Sequence, residues 1–115
     1  MYEFCYNEIV EDSPHIMRER ERRAFERVVS LLKEAREKGA GSREAIEAIY
    51  FLRHLWSILL SDLQSPENEL PDELRAGIIS IGLWMMKEMD QVGAGRKTDL
   101  MPMIEINEMI RDGLV

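Results

Sequence analysis

The residues of this chain with types suited to catalysis or metal binding are two histidines, one cysteine, a run of acids and a glycine turn that leads into a lysine. His15 and His54 have no cysteine or second histidine at ligand spacing, so neither fits a zinc site. They read as a first-turn surface residue and a polar position on the back of a helix. Cys5 carries no Cys-His signature and no Gly-x-Ser-x-Gly elbow occurs, which leaves covalent catalysis without a nucleophile. Glu67, Glu69, Asp72 and Glu73 lack the alternating oxygen ligands, the glycine and the distal glutamate of a calcium loop. They suit a solvated connector and a helix start, where acids meet the positive end of the dipole. Gly93-Ala94-Gly95-Arg96-Lys97-Thr98 has the look of a phosphate-loop tail, but Arg96 separates glycine from lysine and the segment follows a helix where the motif needs a strand. No catalytic, cofactor-binding or metal-binding residue is assigned, and the chain is not expected to be an enzyme.

Binding chemistry has more to work with. Residues 17–38 carry eight basic groups against five acidic ones, densest at Arg18-Glu19-Arg20-Glu21-Arg22-Arg23. The acids are interleaved, and Glu19 stands four residues from Arg23, the spacing of a helical ion pair. A solvated, ion-paired face is expected there, with direct RNA contact the lesser reading. Six of the eight methionines fall in the last 31 residues, at Met85, Met86, Met89, Met101, Met103 and Met109. Their flexible thioethers can fill a core or line an adaptable groove for an amphipathic helix.

Four segments with helical periodicity must position these groups. Ser13-Pro14 starts the first, a capping hydroxyl before a proline at the first helical position, and Gly39-Ala40-Gly41 ends it after about Lys38. Met17, Ala24, Val28, Leu31 and Ala35 form its stripe, with only the second half expected to dock firmly. Ser42 caps the second, running to about Leu63, with the stripe Ala45, Ile49, Leu52, Trp56, Leu59 and Leu63. Its one formal charge between Glu47 and Asp62 is Arg53, which makes it the central helix.

Pro71, Asp72 and Glu73 open the third, whose core stripe is Leu74, Ile78, Ile81, Met85, Met89 and Val92. Ala76, Ile79, Leu83 and Met86 lie on nearly the opposite side of that helix. Ile79, Leu83 and Met86 are therefore the candidate partner-binding residues, unless the fourth helix or the Tyr2 to Tyr6 arm covers them. Thr98-Asp99 starts the fourth, with Pro102 in its first turn and Leu100, Met103 or Ile104, Asn107, Ile110 and Leu114 in register. Residues 1–12 alternate Tyr2, Phe4 and Tyr6 with polar positions and read as a packed N-terminal arm. Trp56 and Trp84 should both be shielded. The fold class is all-α, a small bundle of about four helices with an N-terminal arm.

At 115 residues and 13.4 kDa the chain makes a single domain over 1–115, with a core too small to share with a deep cofactor cavity. A net charge of -7 repels phosphate backbones, so RNA is not expected as a direct partner. The single cysteine suits a reducing cytosol, and no apolar run is long enough for a membrane span. A soluble cytoplasmic protein is expected, of undetermined oligomeric state.

The string Ser65-Pro66-Glu67-Asn68-Glu69-Leu70-Pro71-Asp72-Glu73-Leu74-Arg75-Ala76, continuing through Ile79-Ser80-Ile81-Gly82-Leu83-Trp84, closely resembles the FlaF family of flagellar biosynthesis regulators. The resemblance takes in Ser13-Pro14, Ser42-Arg43-Glu44-Ala45, Leu52-Arg53-His54-Leu55-Trp56, Ile104-Glu105-Ile106-Asn107 and Ile110-Arg111-Asp112-Gly113-Leu114, and so spans essentially the whole chain. It implies a small cytoplasmic protein of alphaproteobacteria, needed for flagellin production or secretion, that works alongside the FlbT regulator, which restrains flagellin mRNA translation. It supplies no catalytic residue and no cofactor. It does supply a partner, flagellin, whose terminal segments are amphipathic helices, and FlbT as a second candidate. The reading that results is a flagellin-binding export chaperone, a regulator of bacterial flagellum biogenesis. The alternative is a post-transcriptional regulator of flagellin mRNA, acting on RNA through the Arg18 to Arg27 face or through FlbT.

Overall fold

Among the described residues, turn chemistry delimits four helices: α1 (Ser13–Lys38), α2 (Arg43–Leu63), α3 (Asp72–Gly93) and α4 (Met101–Gly113). The computed structural model describes residues 13–113, with side chains over 19–113, and among the described residues there is no strand. The all-α bundle expected from the periodicity is the observed class. The N-terminal arm, Cys5, Leu114 and the side chains of His15 and Met17 lie outside the described residues.

Gly39 leaves α1 at φ 108°, a left-handed conformation that a side chain would strain. The Ser42 N–H and Oγ both donate to the Gly39 carbonyl, at 3.0 and 2.6 Å, and Ser42 Oγ accepts from the Ala45 N–H at 3.1 Å. One hydroxyl thus closes the turn and caps α2. Between α2 and α3, Asn68 Nδ2 donates to the Asp62 carbonyl (3.2 Å) and Asn68 Oδ1 accepts from the Leu70 N–H (3.0 Å). Arg75 pairs with Asp72 and also donates to the Asn68 carbonyl at 3.4 Å, so the acidic connector is tied down by its own neighbours.

The glycine turn after α3 does structural work too. Gly95 sits at φ 77°, and the Arg96 and Lys97 N–H groups both donate to the Gln91 carbonyl, at 2.9 and 3.3 Å. Lys97 Nζ lies 2.6 Å from Glu88 Oε2, whose side chain is only 8% exposed. The groups that suggested a phosphate loop are spent on closing a helix. Asp99 Oδ1 then accepts from the Met101 N–H at 3.0 Å to start α4.

All four helices meet at Trp56. Its ring is fully buried, with the α1 residue Phe25 edge-on at 6.0 Å between centroids, and its Nε1 donates to Oδ1 of the α4 residue Asn107 at 3.1 Å. Asn107 Nδ2 donates to the Met103 carbonyl (2.7 Å) and reaches Sδ of the α3 residue Met85 at 3.6 Å. A buried amide is tolerated here because its polar atoms find partners. Val28, Leu32, Ala35, Ala45, Ala48, Leu52, Met89, Val92, Leu100, Met103 and Ile104 complete the core.

Three sequence expectations need correction. The buried arc of α1 is Phe25, Val28, Val29, Leu32 and Ala35, while Leu31 and Ala24 are only half-buried. The arc is rotated because α1 packs against both α2 and α4, so the side toward Phe25 and Val29 is covered as well. On α3, Met85, Met89 and Val92 are buried as expected, yet Ile78 and Ile81 are half-buried and Leu74 is 51% exposed. Finally, Trp84 is half-buried at the edge of the core, unlike Trp56.

Candidate functional site

Gly82 sets how closely α3 approaches α2. A Cβ at this buried position would stand 2.6 Å from Leu60 Cδ2 and 3.1 Å from Trp56 Cε3, so only hydrogen fits without displacing Leu60. With Gly82, Met85 and Met89 turned inward, the 100° step per residue carries Leu83 outward, where it is 58% exposed. Ile79 and Met86 flank it on the same face, both half-buried. Met86 packs against the edge of the core, and its Sδ lies 3.9 Å from Arg53 Nη1. The other guanidinium nitrogen of Arg53 holds Asp90 Oδ1 at 2.8 Å.

The three residues singled out from the sequence line one strip in which Leu83 stands clear, but Met86, expected on the side of α3 opposite the core, instead packs against the core edge beside the Arg53–Asp90 salt bridge, because it lies only about 40–60° around the helix from buried Gly82 and Met89. Among the described residues the fourth helix, which packs on α1, leaves Leu83 uncovered at 58% exposure. An apolar strip with a polar rim and an adaptable thioether at its edge can bury the apolar stripe of another helix.

A second apolar feature escaped the reading of the sequence. Arg27 and Leu31 of α1 and Ile46, Glu47, Tyr50 and Phe51 of α2 line a groove of about 430 Å³. Ile46 is 68% and Tyr50 76% exposed. Their four-residue spacing, off the stripe of Ala45, Leu52 and Trp56, was the available signal.

The basic stretch of α1 is ion-paired as its spacing suggests: Arg23 lies 3.4 Å from Glu19 and Arg22 3.4 Å from Glu26. Farther along the same face of the bundle, the hydrogen bond to Asp112 raises the pKa of Arg111, and Glu108 and Glu26 add to it. His54 is exposed on α2, and among the described residues no three His, Cys, Asp or Glu side chains converge to hold a metal ion. No helix of the described residues is long and apolar enough to cross a membrane.

No curated protein and no solved structure matches the chain. The profile of the flagellar protein FlaF matches residues 2–114, nearly the whole length, and the protein belongs to the FlaF family of flagellar proteins.

Proposed function

We propose that this FlaF-family protein is a non-enzymatic, cytoplasmic export chaperone that binds an amphipathic terminal helix of flagellin and couples flagellin level to its synthesis, with FlbT as a second partner. The observation that carries the reading is the exposure of Leu83 between Ile79 and Met86 on a helix whose opposite side is core. A leucine held at the surface this way costs solvation free energy, which a partner helix recovers by covering it. The RNA reading is weakened by the pairing of Arg22 and Arg23 with Glu26 and Glu19, since charges already neutralised release fewer counterions from a phosphate backbone.

The test is flagellin binding by the purified protein and by its Leu83→Asp variant. The variant should keep its helical content and melting temperature while losing about 2 kcal/mol of binding, roughly 30-fold in Kd. Full-strength binding by the variant refutes the strip as the site, and absence of binding by the parent refutes the chaperone reading. Salt-sensitive capture of flagellin leader RNA by the parent would favour the alternative.

A further inference from the structure

We propose, independently of the flagellin reading, that a second copy of this chain packs antiparallel on the exposed face of α3. The two-fold axis passes Ser80, and Glu73 of each copy pairs with Lys87 of the other.

Six charged side chains lie on α3, and four are held within the chain: Asp72 and Arg75 by each other, Glu88 by Lys97 and Asp90 by Arg53. Glu73 and Lys87 remain, both exposed and without an ion-pair partner among the described residues. Their charges are opposite, but they stand fourteen residues apart, about 21 Å along the helix, too far to pair with each other. At 100° per residue they nevertheless fall within about 40° of one another, on the side of α3 turned away from buried Gly82, Met85 and Met89. Between them Ala76, Gly77, Ser80 and Leu83 are exposed and Trp84 is half-buried. A face with apolar groups in the middle and one unpaired charge of each sign at its ends is complementary to itself when reversed.

Spacing selects the register. Glu73 and Lys87 lie seven residues to either side of Ser80, Ala76 and Trp84 four, and Gly77 and Leu83 three. A two-fold axis at Ser80 sets each member of these pairs level with the other member on the second copy. Both ends then carry an ion pair, Trp84 is level with Ala76, and Leu83, 58% exposed, is level with Gly77. A Cβ at Gly77 would meet nothing within 4 Å, so packing within one chain gives no reason for a residue that weakens a helix there. Gly82 differs, since Leu60 and Trp56 of the same chain crowd it. In the dimer, Gly77 lets the backbones approach and leaves room for Leu83 of the other copy. A parallel pairing would set Glu73 against Glu73 and Lys87 against Lys87, two repulsive contacts. The contact runs about 21 Å along one helix of each copy, at the small end of protein interfaces, which points to an exchanging dimer with a Kd on the order of 50 µM. Leu83 belongs both to this face and to the strip with Ile79 and Met86, so a helix docked on that strip competes with the second copy.

Sedimentation equilibrium of the full chain from about 5 to about 500 µM should show a monomer–dimer equilibrium. Glu73→Lys alone and Lys87→Glu alone should each weaken the dimer about fivefold, because each puts two like-charge contacts where two ion pairs stood. The double reversal should restore the parental affinity, and an equimolar mixture of the two single variants should associate as the parent does. Ser80→Arg sets two guanidinium groups against each other at the axis and should abolish the dimer, with helical content by circular dichroism unchanged because Ser80 is exposed. None of these variants alters Ile79, Leu83 or Met86, so the outcome does not depend on whether flagellin binds that strip. A monomer throughout the range, or an open-ended assembly, overturns the proposal. So does a dimer indifferent to Ser80→Arg or to the single charge reversals, and so do weakened single variants that the double reversal fails to rescue.

Discussion

Replacing Asn107 with leucine removes the buried amide through which α4 meets Trp56 and Met85 at the centre of the bundle, while keeping a side chain of similar bulk. Trp56 is fully buried and its Nε1 has Asn107 Oδ1 as its acceptor at 3.1 Å, so the substitution strands an indole N–H away from water. An unsatisfied buried donor costs about 1–3 kcal/mol, and the added apolar burial of leucine returns part of that, for a net loss of about 2 kcal/mol. With an unfolding entropy of about 2.1 cal/mol/K per residue, that lowers the melting temperature of a chain this long by about 8 °C. Thermal melts followed by circular dichroism read the single variant, and a double-mutant cycle with Trp56→Phe isolates the bond. Phenylalanine has no N–H to strand, so Asn107→Leu should cost at least about 1 kcal/mol less in that background. A variant as stable as the parent, or an equal cost in both backgrounds, would refute the claim that this bond organises the junction.

Trp56→Ala empties a site buried against all four helices and should cost about 3–5 kcal/mol, visible as loss of the cooperative melt. Gly82→Val drives a branched side chain into Leu60 and Trp56 and should lower the denaturant midpoint by the equivalent of about 2–3 kcal/mol. Gly82→Ala should be milder, because the tip of Leu60 can rotate and alanine regains about 1 kcal/mol of helix propensity. Ser42→Ala removes the α2 cap and should cost about 1 kcal/mol, read from the same denaturant curves.

Helix ends were legible because they depend on local chemistry that the sequence spells out. Ser42 and the Gly39 turn act through atoms within a few residues of each other, and the structure uses them as the spacing implies. Helix faces were legible only where one neighbour defines the buried side. The stripe of α2 holds through Ala45, Leu52, Trp56 and Leu63, since that helix is central. On α1 a second neighbour, α4, turns Val29 and Leu32 inward, and no local spacing encodes where a helix some seventy residues downstream will pack. The bond between Trp56 and Asn107 was hidden for the same reason: both residues were on their stripes, yet their meeting is a property of the packed bundle.

The lengths of the helices explain where apolar surface is left over. At 13 residues α4 is about 20 Å long, against about 33 Å for the 22 residues of α3 and 39 Å for the 26 of α1. A fourth helix that short cannot line the whole bundle. Every buried residue of α3 accordingly lies from Gly82 onward, and its first ten residues have none. The half of the bundle around Trp56, Met85 and Asn107 carries the packed core, while Leu74, Ile78 and Ile81 extend an apolar surface that the described chain leaves partly open. Because the outward strip of Ile79, Leu83 and Met86 begins on that thinly buried half and ends on the packed one, its Met86 end is held by the core and its Ile79 end is free to adjust. A helix docking there would meet a fixed anchor at one end and a compliant surface at the other.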